Sequence, residues 1–174
     1  MLAKIAPRRD IATVGPALDG HKSQQGPVLM VCSSGGHLAQ LVALRNWWQT
    51  YDTVWVTFDS VDARSLLDDH VFVPAYAPTT RNVGNLLRNA WLSVRVLRQW
   101  RPSVVMSTGA GVALPFFVAA WIMRIPSVYL EVVDRMDGPT LTGRLVRPFA
   151  TRMVVQWPEQ QQFYPGSVLT GPVL

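Results

Sequence analysis

Short runs of β-branched and other apolar residues alternate along this chain with longer stretches in which apolar positions recur every three or four residues. The runs predict strands at 28–32, 54–58, 71–73, 104–107, 128–132, 153–156 and 168–169. The longer stretches predict helices at 37–48, 63–68, 83–100, 112–122 and 141–150. Strands that are apolar almost throughout need cover on both faces, and strand-helix alternation supplies it through parallel crossover units. The predicted fold is α/β, a doubly wound parallel sheet of the Rossmann-like kind, occupying residues 27–174 as one domain. Ligands of such sheets sit beyond the carboxyl ends of the strands, where the strand order reverses.

Composition narrows the picture. The chain has 174 residues, 49% hydrophobic and 16% charged, which suits one core and excludes disorder. A single cysteine, Cys32, excludes a disulfide scaffold and a cysteine-built metal site, and His21 and His70 stand at no metal-ligand spacing. No metal and no cofactor are expected. Residues 1–26 read as a flexible basic arm carrying Lys4, Arg8, Arg9 and Lys22, without the apolar core of a signal peptide or anchor helix. The uncharged run at 102–123 is broken by Pro102, Gly109, Gly111 and Pro115, which leaves a continuous apolar stretch only at 112–123, the length of a buried core helix, so no membrane span is expected. The net charge is +5, and its placement says more than its size. Residues 71–130 hold no acid, but they hold Arg81, Arg88, Arg95, Arg98, Arg101 and Arg124. That block favours an anionic partner.

Two strand-to-helix turns carry the candidate chemistry. The first strand runs into Ser33-Ser34-Gly35-Gly36-His37-Leu38, where glycines admit close backbone approach and the following helix start offers amides to an anion. The fourth runs into Ser107-Thr108-Gly109-Ala110-Gly111. Ser33, Ser34, Gly35, Gly36, Thr108, Gly109, Ala110 and Gly111, with Arg81 nearby, are the candidate diphosphate contacts. A tight turn with no ligand is the competing reading. His37, at a helix start that favours the neutral ring, is the candidate general base, against a histidine that only bonds backbone. Glu131 ends the fifth strand in an apolar run and is the second catalytic candidate, with a binding or orienting role.

At 100° per residue the helix at 83–100 shows three stripes. Val83, Leu86, Leu87, Ala90, Val94 and Leu97 are expected to pack on the sheet. Arg88, Trp91, Arg95 and Arg98 form a second stripe, and Leu92, Val96 and Trp100 a third, roughly opposite the first. Those last two stripes predict an interfacial surface for an anionic membrane, unless a partner subunit or a loop covers it.

The two glycine turns, Thr79-Thr80-Arg81-Asn82, Tyr129-Leu130-Glu131, Leu141-Thr142-Gly143, Val155-Gln156-Trp157 and Phe163-Tyr164-Pro165 together resemble the PssD/CpsF (EpsE-like) proteins of bacterial polysaccharide synthesis, relatives of the eukaryotic Alg14 subunit. The resemblance covers about residues 27–174 and implies a GT-B N-terminal half, similar to the acceptor domain of MurG and ending at the hinge near Thr170-Gly171-Pro172-Val173. It also implies that the two turns hold an acceptor diphosphate. Glu131 corresponds to the Glu of a MurG His-Glu-Gln-Asn segment, although here its neighbours are Leu130, Val132 and Val133.

The expected activity is that of an acceptor-binding, membrane-docking subunit in a two-component inverting glycosyltransferase of exopolysaccharide or capsule biosynthesis. A PssE-like catalytic subunit would carry the UDP-sugar site, and the acceptor would be a polyprenyl-diphosphate glycolipid. The expected location is peripheral, on the cytoplasmic face of the cell membrane, and nucleic acid is not an expected partner. Two alternatives stay open. An NAD(P)-binding oxidoreductase is suggested by Asp59, near the end of the second strand, although Ser34, Gly36 and Ala39 stand where the dinucleotide fingerprint has glycines. The other is a non-enzymatic scaffold that only recruits the catalytic chain.

Overall fold

The computed structural model describes residues 26–174, so the arm expected at 1–26, apart from Gly26, lies outside the described residues. Seven strands form one sheet: β1 (Val28–Val31), β2 (Thr53–Phe58), β3 (Val71–Ala75), β4 (Val104–Ser107), β5 (Ser127–Leu130), β6 (Arg152–Val155) and β7 (Val168–Leu169). Their order is β3-β2-β1-β4-β5-β6-β7 and every neighbouring pair is parallel. The helices are α1 (Gly36–Ala43), α2 (Arg45–Trp48), α3 (Val61–Leu66), α4 (Val83–Trp100), α5 (Ala113–Ile122) and α6 (Leu141–Val146). A 3-10 turn at Pro158–Gln162, not anticipated from the pattern, starts on a proline that has no amide to lose.

The doubly wound prediction holds, and alternation along β1 shows why both faces are apolar. Val28, Met30 and Cys32 pack with Leu38, Leu41, Trp48, Ala63 and Leu67, beneath α1 to α3. Leu29 and Val31 face the other core, which holds Leu92, Val96 and Leu97 of α4 and Phe116, Phe117 and Val146 of α5 and α6. β1 is bonded to β2 on one side and to β4 on the other, so the strand order reverses between β1 and β4. Val31 pairs with Ser107, which brings the chain off both strands at one level. The crevice of the sheet therefore opens between the two glycine turns.

The orientation of α4 corrects the sequence reading. Leu92 and Val96, expected on the docking surface, are 4% and 0% exposed and belong to the core, and Trp100 is half-buried against it. Val83, Leu86 and Leu87, expected inside, are exposed beside Trp91. Polar residues turn the helix over. Buried Asn89 accepts from the Tyr76 amide and donates to the Tyr76 carbonyl, both at 2.9 Å. Buried Asn85 donates to the Pro78 carbonyl, and buried Ser93 donates to the Pro115 carbonyl of α5. A buried polar group with its partners in place costs little, so these three residues sit inward without penalty.

Residues 102–123 divide into β4, the second glycine turn and α5, matching the strand, turn and buried helix expected there. Among the described residues no helix is long and apolar enough to cross a membrane.

Candidate functional site

The two glycine turns meet across the crevice and are bonded to each other. His37 Nδ1 lies 2.9 Å from the Thr108 carbonyl, and Thr108 Oγ1 donates to the His37 carbonyl at 2.8 Å. A carbonyl only accepts, so Nδ1 carries the proton and Nε2 of the neutral ring is left as an acceptor. Burial pushes the His37 pKa below the usual 6.5; the Thr108 bond and the Asp134 and Glu131 charges oppose that shift without reversing it. The ring is therefore neutral at physiological pH and able to take a proton.

The first turn is open. Gly35 and Gly36 are exposed, Ser33 and Ser34 half-buried, and α1 begins without a side-chain cap and without an acid in its first turn. Its first amides have no intrahelical acceptor, which is the usual setting for a bound anion. One amide of the cradle is taken: Gly35 N–H donates to Asp62 Oδ2 at 2.8 Å, across from the start of α3. Sequence reasoning passed over Asp62, because nothing in the spacing ties residue 62 to residue 35.

The second turn is more closed than its composition suggests. Thr108 and Gly109 are buried, and the Gly109 amide donates to Ser107 Oγ at 2.9 Å. Thr108, expected to touch a ligand, spends its hydroxyl on joining the turns. A side chain at Gly109 would collide with Tyr129 Oη and His37, and one at Gly111 would press on Thr79. Ala110 takes a left-handed φ of 67°, which keeps this turn tight. Arg81, exposed and also left-handed, lies two residues beyond Thr79 on a turn set against Gly111.

Glu131 is 0% exposed, and its carboxylate is surrounded by protein donors. It accepts from the Val132 amide, the Thr140 amide and hydroxyl, and the Tyr164 hydroxyl. It touches no open surface, so the catalytic contact expected of it gives way to a positioning role: it ties the β5–α6 loop to Tyr164. Gly143 belongs to the same arrangement, since a side chain there would collide with Tyr164 Oη and Glu131 Oε2. Burial first, and the Glu131 charge after it, raises the Tyr129 pKa, so that phenol stays protonated.

Three glutamines frame the crevice, of which the sequence reading touched only Gln156, as part of the Val155-Gln156-Trp157 motif. Gln156 and Gln160 bond the backbone of residues 131–135, and Gln40 of α1 bonds Gln156. Beside them is a cavity of about 380 Å³ lined by Gly36, His37, Gln40, Val132, Asp134 and Thr140 among others. Asp59, the residue behind the nicotinamide reading, is held by Arg64 through two bonds of 2.7 and 2.8 Å. Among the described residues no cluster of His, Cys, Asp and Glu could hold a metal ion.

Residues 76–173 match the family described as "Oligosaccharide biosynthesis protein Alg14 like". Human "UDP-N-acetylglucosamine transferase subunit ALG14" is 24% identical over 178 residues, covering 84% of this chain and 82% of that protein. The Geobacillus kaustophilus "UDP-N-acetylglucosamine--N-acetylmuramyl-(pentapeptide) pyrophosphoryl-undecaprenol N-acetylglucosamine transferase" is 34% identical over 79 residues, 45% of this chain but only 21% of that protein. In fold the chain is similar to Acinetobacter baumannii MurG, with a TM-score of 0.68 at 18% identity over 83% of this chain and 45% of the other. It therefore spans most of an Alg14 subunit and less than half of a MurG-type enzyme.

Proposed function

The chain belongs to the Alg14-like family of oligosaccharide biosynthesis proteins, and from that premise we propose that it is the acceptor-binding, membrane-docking subunit of a two-component inverting glycosyltransferase. The transferase names of its relatives support a UDP-sugar donor of the UDP-N-acetylglucosamine class and a lipid-linked acceptor. On this reading the acceptor is a polyprenyl-diphosphate glycolipid of exopolysaccharide or capsule synthesis, as in PssD-type proteins, and a PssE-like chain carries the donor. The observation that carries the proposal is the His37–Thr108 pair, which joins two glycine turns at the strand-order reversal and leaves His37 Nε2 as an acceptor on a cavity.

The open amides of Gly36 and the start of α1 bind the acceptor diphosphate, with half-buried Ala110 and Gly111 and exposed Arg81 on the other side. An acceptor hydroxyl donates to His37 Nε2. Its oxygen attacks the anomeric carbon of the UDP-sugar as the bond from that carbon to the diphosphate breaks, the hydroxyl proton passes to Nε2, and UDP leaves. The sugar is delivered with inversion.

The docking surface is the exposed side of α4: Val83, Leu87 and Trp91 at i, i+4 and i+8, flanked by Arg88, Arg95 and Arg98. Arg95 lies 4.2 Å from the Trp91 ring centre, which groups charge and aromatic surface together. The acid-free block at 71–130 makes the cytoplasmic face of an anionic membrane the fitting occupant.

The experiment is reconstitution. With a PssE-like partner the protein is expected to glycosylate a polyprenyl-diphosphate glycolipid, and neither chain alone should turn over. His37→Ala should lower the rate about 100- to 10,000-fold, as loss of a general base does. Normal turnover by the single chain would sink the split-enzyme reading, and full activity of His37→Ala in the pair would leave only a scaffold.

A further inference from the structure

Gln40 is 5% exposed, lines the cavity and has the polarity of its side chain set by its neighbours. Its side chain meets that of Gln156. The amide nitrogen of Gln156 donates to the Glu131 carbonyl at 2.8 Å, and its oxygen accepts from the Val173 amide at 2.9 Å. A carbonyl cannot donate and an amide N–H cannot accept, so these two bonds independently fix which end of Gln156 is nitrogen. The second hydrogen of that nitrogen goes to Gln40 Oε1, at 2.8 Å. The NH2 of Gln40 must then point away from Gln156; it is not among the enclosed polar atoms left without a partner, so it reaches the open cavity. A donor carried by a nearly buried side chain thus faces the cavity, available to whatever enters it.

His37 precedes Gln40 by three positions in α1, so the two side chains lie on one helix face about 5–6 Å apart at Cβ. One offers an acceptor nitrogen and the other a donor. An anion that only accepts cannot match both, and the lining carries Asp134 beside Arg135, so it offers no net positive charge to hold one. A sugar ring does match: one hydroxyl gives its proton to His37 while the adjacent ring substituent accepts from Gln40, and Val132 and Val133 offer an apolar wall to the ring carbons. The volume of about 380 Å³ falls in the range of about 300–1,000 Å³ usual for small-ligand sites.

We propose that this cavity receives the first sugar of the acceptor and that Gln40 is a specificity-determining residue, its side-chain NH2 donating to the ring substituent next to the reacting hydroxyl. This rests on the acceptor-binding reading above and adds a separate contact for the sugar, apart from the diphosphate at the glycine turns.

The test is ¹⁵N NMR of the full chain with two probes, farnesyl-diphosphate-linked N-acetylglucosamine and inorganic pyrophosphate. The Gln40 NH2 signals are assigned by their loss in Gln40→Met. The expected result is that both probes shift the Gly35 and Gly36 amides and only the sugar-bearing probe shifts the Gln40 NH2. The ratio of affinities for the two probes should fall about tenfold in Gln40→Met. Gln40→Glu keeps an oxygen for Gln156 while removing the donor; it should lower the same ratio, and it serves if the methionine variant does not fold. Taking the ratio cancels the repulsion the new carboxylate exerts on both diphosphates. If the turn amides respond but Gln40 is silent, responds equally to pyrophosphate, or leaves the ratio unchanged when replaced, the sugar contact is wrong and the acceptor reading stands. If neither probe moves the turn amides, both fall.

Discussion

His37 is held neutral before any substrate arrives. Burial lowers its pKa below 6.5, and the Asp134 charge raises it part of the way back. As pH falls through that lowered value the ring takes a proton, Nε2 ceases to accept, and transfer slows. The reconstituted pair should therefore show an acid limb in kcat/KM, which reports the free protein, with a midpoint below pH 6.5, and Asp134→Asn should move that limb lower still. A limb at or above 6.5, or one that Asp134→Asn raises, would remove His37 as the base. Asp62 bears on the neighbouring glycine turn. Its carboxylate sits on the Gly35 amide, inside the cradle proposed for a diphosphate. Asp62→Ala frees the amide and removes a like charge, so calorimetry should find pyrophosphate bound about fivefold tighter at low salt, a modest factor because the contact is exposed and screened. Weaker binding would mean that Asp62 organises the turn instead of competing for it. His37 was legible in the sequence because it adjoins a glycine turn. Asp62, Gln40 and the carboxylate contacts of Glu131 were not, because their partners lie 27, 116 and 33 positions away.

At the scale of the element, α4 decides how the molecule presents itself. Its limits, Val83–Trp100, match the sequence reading at both ends, since Asn82 supplies the cap and Arg101 turns left-handed to close it. Its facing does not match. The rows of Leu92 and Val96 on one side and Val83, Leu87 and Trp91 on the other are both apolar, so the pattern contains two solutions. The choice falls to Asn85, Asn89 and Ser93, each of which bonds a backbone group of another segment, Ser93 while also bonding the Ala90 carbonyl of its own helix. Leu92→Ser should accordingly cost about 2–4 kcal/mol in denaturant unfolding, in the range of large-to-small core changes. Leu87→Ser with Trp91→Ser should stay within about 0.5 kcal/mol per site, as surface changes do, while lowering co-sedimentation with anionic vesicles. Unchanged co-sedimentation of the double variant would assign this face to another protein.

For the molecule as a whole, charge and connectivity act together. Six arginines and no acid between residues 71 and 130 predict vesicle binding that weakens as salt rises from about 0.05 to 0.5 M, with an apolar remainder from Trp91 and its neighbours. Binding indifferent to salt would take the arginines out of the account. The strand-helix alternation was readable in the sequence because the strands, apart from the exposed two-residue edge strand β7, are apolar enough to demand cover on both faces, which favours a parallel, doubly wound sheet. The two glycine turns were readable for the same local reason, each lying between a strand and a helix. Their meeting needed the crossover from β3 to β4, which sets β4 beside β1 and brings His37 within bonding distance of Thr108, 71 positions away. The sequence by itself determined which segments are strands and helices, where the glycine turns fall and where the positive charge lies, because these depend on neighbours a few positions apart. Only the tertiary structure decided which face of α4 is inside, that Glu131 is enclosed and that Gln40 turns a donor into the cavity, because each depends on hydrogen-bond partners that folding brings from distant parts of the chain.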